Sequence, residues 1–234
     1  MSDARPSIPP DVKRTLRREA GYGCCHCGHP FIQYHHIVPW AEDQHFRPDD
    51  MMVLCGQCHH LCTVGALDES QQRSIKAKPK NQVDGFVRGK LYTKSTQLSV
   101  RMGNSLAIET PNILTIKDEL IVGLRRNPDD SRILVSATIH DKAGNPIGVL
   151  RDNEWELPLD NMWDFEAYPL HATIRHGLGD IAFLIDAREE EIKLRGQWYH
   201  QGRGVIFSPS VILVGGARIN GFTSMYGRNF ISIT

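Results

Sequence analysis

All six cysteines of this 234-residue chain lie between Cys24 and Cys62. Cys24 and Cys27 form one Cys-x-x-Cys pair in GYGCCHCGHP, and Cys55 and Cys58 form a second in VLCGQCHH. Two intervening residues let both thiolates of a pair turn toward one ion. Two such pairs complete a tetrahedral four-sulfur site. A closed site leaves no position for substrate, so the zinc expected here is structural. It would organise a segment too small and polar to bury a core of its own. Free core cysteines or a redox pair compete with this reading, and the matched spacings count against both. A disulfide-stapled secreted protein would spread its cysteines through the fold. Cys25 and Cys62 are left over; Cys25 lies inside the first pair and could compete for zinc, but both are expected as buried thiols.

Between the pairs runs YHHIVPWAEDQHFRPDDMMVLC, followed by GQCHHLCT. HHIVP, LCGQCH and the two cysteine pairs, in that order and spacing, resemble the HNH (ββα-metal) nuclease family over roughly residues 8–75. The resemblance implies His36 as the general base, His35 as the first ligand of a catalytic divalent metal and His59 as the second. The chemistry is consistent with those residue types. Phosphodiester hydrolysis needs an activated water and a cation on the phosphate, and a neutral imidazole accepts a proton near neutral pH. Adjacent strand residues point oppositely, so a bent segment must let one histidine grip metal while the other faces water. Mg2+ is the expected catalytic ion; Mn2+, Ni2+ or Zn2+ also suit imidazole ligands.

Two positions depart from the family pattern. Its central Asn is Asp50 here, which accepts a hydrogen bond but cannot donate one; Asp50 is expected to polarise His36 or to repel phosphate. A third ligand often stands four residues after the second, and that position is Thr63, whose hydroxyl ligates poorly. His60 and Cys62 sit at the wrong helical angle to replace it. His26 and His29 are expected at the surface or beside the zinc ligands, His45 on a solvated loop rather than in contact with phosphate, and Trp40 packed against the zinc module rather than stacked on a base.

These groups need elements to hold them. DVKRTLRREAGYG follows Pro9 and Pro10 and reads as a helix ending at Gly21. On it Lys13, Arg14, Arg17 and Arg18 share a broad face. That face is either solvated surface or, beside a nuclease site, a phosphate contact, so Arg14, Arg17 and Arg18 are candidate nucleic-acid contacts. Asp68 and Gln71 form a capping-box pattern that starts a second helix, and Pro79 stops it. The module is therefore placed at 1–78, with an aperiodic linker at 79–94.

Residues 95–234 read differently. ILVSATIH and IGVL flank a DKAGN turn, and IAFLIDA, EIKLRGQWYH, VIFSPSVILV and FISIT read as further strands. The whole is α+β: a small zinc-stapled ββα-metal module followed by a mainly antiparallel β domain. Sandwich, barrel and solenoid stay open for the latter. Asp152, Glu154, Glu156, Asp160, Asp164 and Glu166 surround Trp155 and Trp163. They lack calcium-loop spacing and read as acidic turns flanking core tryptophans.

Net charge is zero, yet residues 1–95 carry 13 basic and 10 acidic side chains and the remainder 14 and 17. This balance permits nucleic-acid binding in the first part and argues against the second as the main DNA grip. The β domain is therefore expected to serve dimerisation, sensing or partner binding. No apolar run approaches the ~18 residues of a membrane span, and the N-terminus lacks the apolar core of a signal peptide, so a cytoplasmic protein is expected. The leading expectation is a DNA endonuclease used in bacterial defence or restriction. A non-catalytic zinc module that binds nucleic acid or protein, and an RNA-cleaving enzyme, are the alternatives.

Overall fold

A computed structural model describes residues 6–160, 162–200 and 203–233. Residues 1–5, on which the reading against a signal peptide partly rests, lie outside it, as does Thr234 at the end of FISIT. Contacts divide the chain into Met1–Val87 and Arg88–Thr234.

In the first unit α1 (Pro10–Glu19) starts with proline in its first turn, where the missing N–H is no loss. It turns out through left-handed Gly21 and Tyr22. Val12, Leu16 and Ala20 recur every four residues and put one face of α1 on the core. β1 (Gln33–His36) pairs antiparallel with β2 (Met51–Leu54), with His35 opposite Met52 and His36 opposite Met51. All four β2 residues are buried, as a short strand covered on both faces must be. Then come α2 (Gly56–Thr63) and α3 (Glu69–Ala77). The Asp68–Gln71 capping box is formed in both directions, at 2.8 and 2.9 Å. The core comprises Leu16, Ala20, Cys24, Cys25, Ile37, the β2 residues, Cys55 and Cys58.

The stretch expected as linker is structured. It holds α4 (Lys80–Asp84) and β3 (Phe86–Lys90). Buried Asn81 donates its amide to the carbonyls of Gly21 (3.0 Å) and Gly28 (3.1 Å), and Lys80 N–H reaches the Cys25 carbonyl. α4 thus closes over the turn that carries Cys24 and Cys27. Five residues are too short to show a helical period, which is why composition alone suggested a linker.

The second unit is all strand among its described residues. One sheet is built from β3, β6 (Asn112–Ile116), β7 (Glu119–Arg126), β8 (Ile133–His140), β9 (Pro146–Arg151), β10 (Glu154–Pro158) and β19 (Asn229–Ile233), in the order 19-6-7-8-9-10-3. The other follows β11 (Asp164–Tyr168), β12 (His171–Gly177), β13 (Asp180–Asp186), β14 (Ile192–His200), β15 (Arg203–Phe207), β16 (Ile212–Val214) and β17 (Ala217–Ile219) in chain order. β4 (Ser99–Met102), β5 (Ser105–Ile108) and β18 (Thr223–Met225) extend it. Both sheets are open. Pairing is mainly antiparallel, with parallel contacts at β14/β4, β18/β5 and β19/β6. The sheets meet where Trp198 on β14 donates its indole N–H to the Thr138 carbonyl on β8, at 2.9 Å. Gly196 gives that indole room: a Cβ there would sit 2.4 Å from the ring.

Five of the six acids of the acidic stretch form ion pairs. Asp152 meets Arg125, Glu154 meets Lys90, Glu156 meets Arg88, and Asp164 and Glu166 meet Arg175. Trp155 is buried edge-on against Phe165. Among the described residues, no helix is long and apolar enough to cross a membrane.

Candidate functional site

Two groups of cysteine and histidine side chains meet at α2. The first is the four cysteines. Cys24 and Cys27 lie in the turn after α1, where Gly28 adopts φ +79° and Gly23 has no room for a Cβ. Cys55 follows β2 as the N-cap residue of α2, and Cys58 lies in the first turn of α2. The four sulfurs lie within 4.8 Å of one another, and Cys27 and Cys55 are 3.6 Å apart. Zn–S bonds of about 2.3 Å place tetrahedral sulfurs about 3.8 Å apart, so a small contraction fits them around one ion.

The thiols are not equivalent. Burial acts to raise Cys55, but hydrogen bonds from the Cys58 backbone N–H and from the thiols of Cys58, Cys27 and Cys24 bring it below its ordinary 9.0. Burial pushes Cys27 up to about 11 and raises Cys58 as well. An ion bound by all four sulfurs would displace the thiol protons. Cys25 faces the core instead, where burial pushes it up to about 11, and half-buried Cys62 packs on the same core.

The second cluster is histidine. His35 and His59, from β1 and α2, bring their rings to 4.9 Å, perpendicular to each other. Burial lowers His35 below its ordinary 6.5, against the raising effect of Gln72 and with that of His59. It is therefore neutral, the ligand form, at neutral pH. Its Nε2 lies 3.0 Å from Oε1 of Gln72 on α3. His36 is only 8% exposed. Its Nε2 faces the His45 carbonyl at 3.0 Å, with the rings of Trp40, His45 and Phe46 around it. Since a carbonyl only accepts, Nε2 carries the proton of the neutral ring and Nδ1 is its basic nitrogen.

Other expected residues take unexpected positions. His45 is buried, not solvated: Nδ1 accepts from the Arg47 N–H and Nε2 donates to the Val38 carbonyl, both at 3.2 Å. It satisfies backbone groups that the 37–47 loop cannot pair by itself. Trp40 packs on His36 and Phe46. His26 and His29 are exposed, as expected.

The two oxygens of Asp50 are taken by Arg47 Nε (2.8 Å) and Arg73 Nη2 (3.1 Å). Arg47, then Arg73, hold its carboxyl below the usual carboxylate range. The Asp50 carbonyl accepts from the Ile37 N–H at 2.8 Å, tying this corner to the residue after His36. Thr63 donates its hydroxyl to the His59 carbonyl at 3.0 Å and lies 3.5 Å from His59 Nδ1. On α1 the expected basic face is divided. Arg17 is 6% exposed and donates to the Tyr34 hydroxyl at 2.6 Å, while Arg14 is half-buried and Arg18 exposed. A guanidinium with a hydroxyl partner and apolar neighbours for its stem turns inward.

Gln72, Arg73 and Asn81 escaped the sequence reading. A signal existed for Gln72: with Ile75 it stands at i and i+3, on the face of α3 that packs against the core. The chain matches no protein-family model, no curated protein and no solved structure.

Proposed function

We propose that the first unit is a metal-dependent endonuclease that hydrolyses phosphodiester bonds of DNA. The observation that carries this reading is the approach of His35, on the strand that also holds His36, to His59 of α2, 24 residues away in sequence, with rings 4.9 Å apart. A divalent ion on these two imidazoles, Mg2+ by default, supplies positive charge to the phosphate. His36 takes the proton of the attacking water at Nδ1 while the His45 carbonyl holds its Nε2–H. Trp40 and Phe46 limit water around that ring, and Arg14 and Arg18 offer charge to the phosphate backbone. The cysteine cluster holds structural Zn2+ and so fixes the start of α2 and the position of His59. A cytoplasmic role in bacterial defence, with the β unit as dimerisation, sensing or partner surface, belongs to the same reading.

One observation favours the non-catalytic alternative. Among the described residues, no third Cys, His, Asp or Glu forms a metal-binding group with His35 and His59. The test is incubation of the full chain with plasmid DNA and with structured RNA, each with Mg2+ or Mn2+, beside His36→Ala. DNA cleavage that the substitution abolishes supports the proposal. RNA cleavage alone reassigns the substrate, and DNA binding without cleavage under either metal leaves the zinc module.

A further inference from the structure

We infer that Gln72 is a positioning residue that locks His35 in the Nε2–H tautomer, so that His35 offers only Nδ1 to a metal ion. The metal part of this inference rests on the proposed site; the tautomer does not. Gln72 is 7% exposed, and its Nε2 donates to the Leu67 carbonyl at 2.9 Å. A carbonyl cannot donate, so the amide nitrogen must face Leu67 and the amide oxygen must face His35. That oxygen accepts only, and it lies 3.0 Å from His35 Nε2. The proton of neutral His35 therefore sits on Nε2, and the lone pair is left on Nδ1.

The device is rigid at its base. Asp68 caps α3 immediately after Leu67, and the Gln72 N–H bonds to the Asp68 carbonyl at 2.9 Å, so Leu67 and Gln72 keep a fixed separation. The neighbouring Arg73 bonds Glu69 and Asp50, which fastens α3 on the outer side. A histidine ligand commonly donates its second ring N–H to an oxygen acceptor, which fixes ring and tautomer, and loss of that acceptor costs about 10–100-fold in metal affinity. Gln72 supplies this acceptor from a helix beyond the ββα unit. His36 repeats the arrangement with the His45 carbonyl, so both histidines of β1 turn Nε2–H to a fixed oxygen.

The test is nitrogen-15 NMR of the full, zinc-loaded chain without added divalent metal, with the His35 signals identified by their loss in His35→Ala. The expected spectrum shows a slowly exchanging His35 Nε2–H proton and an unprotonated Nδ1. Gln72→Met should lose the protected proton; Gln72→Glu, still an acceptor, should keep it. An Nδ1–H tautomer in the parent protein overturns the inference whether or not any variant folds. So does a protected Nε2–H that survives in Gln72→Met. Mn2+ titration of the same proteins is the second readout, with affinity expected to fall about 10-fold or more in Gln72→Met and to be retained in Gln72→Glu. Unchanged affinity in Gln72→Met removes Gln72 from the metal site. Absence of Mn2+ binding in the parent, with the protected Nε2–H present, overturns the metal site and leaves the tautomer assignment standing.

Discussion

The cysteine cluster and the histidine pair share α2, where Cys58 and His59 are neighbours in the first turn. They differ in how fully each fills an ion's coordination sphere. Four sulfurs from two tight turns surround one point, three of them buried, and leave no place for a reactant. Two imidazoles from separate elements meet at 4.9 Å, and an ion proposed between them would keep most of its positions for water or substrate oxygens. A filled sphere holds structure and an open one can do chemistry. In the proposed reading one short helix therefore joins a scaffold to a reactive site, and the two should fail in different ways.

The largest expected effect breaks the scaffold. Cys58→Ser, or removal of metal by a strong chelator, should unfold the first unit and abolish bound zinc. Structural zinc contributes roughly 10–16 kcal/mol in small domains, comparable to or above the ~5–15 kcal/mol stability of a whole domain. The core of this unit is built around Cys24, Cys55 and Cys58 themselves. Amide spectra should lose dispersion for the first 87 residues while the β signals of the second unit persist. A folded first unit with no bound metal would refute the scaffold role.

Next in size is His36→Ala, which acts on the other side of the comparison. Loss of a general base lowers a rate by about 10²–10⁴-fold. Zinc content and the spectrum should stay at parent values, with plasmid cleavage as the readout. A variant that also loses zinc would show that the two clusters are not separable.

The contrast was unevenly legible in the sequence. Cys24, Cys27, Cys55 and Cys58 could be placed together because pair spacing is local and zinc demands the rest. The Asp68–Gln71 cap and the β8 strand, with its strict alternation of buried and half-buried residues, are local patterns too. What was not legible depends on distant partners. Asn81 looks like a turn residue until it meets the Gly21 carbonyl, 60 positions away. Arg17 reads as surface charge until Tyr34 accepts its hydrogen bond. Asp50 could be expected near His36, but nothing local announced that Arg73, 23 residues on, would take one of its oxygens.

A smaller effect sharpens the membership of the scaffold. Cys25 lies inside the first cysteine pair, yet its thiol faces the core and is raised to about 11 by burial, so it stays protonated at neutral pH. Cys25→Ala should retain one zinc per chain and cost about 1 kcal/mol, the scale of a small deletion in a packed core. Zinc loss in this variant would place Cys25 among the ligands.

The smallest effect concerns the corner that holds the reactive side. Asp50 has a folded-state pKa below its unfolded value, because Arg47 and Arg73 favour the carboxylate. Its contribution to stability is therefore complete above the unfolded carboxylate pKa and is lost as pH falls through the lower folded value. Both arginines are about half exposed, at 52% and 43%, so water and salt screen the pairs and the effect is modest. Asp50→Asn should leave zinc bound, lower the melting temperature slightly at neutral pH and low salt, and converge with the parent in strong acid or high salt. Asn still accepts from one arginine but lacks the charge that holds both, so the corner through which the Asp50 carbonyl grips Ile37 should loosen. Cleavage should then fall by less than in His36→Ala and become more sensitive to salt. Equal loss in the two variants would make Asp50 a direct partner in the reaction rather than a brace for the strand that carries it.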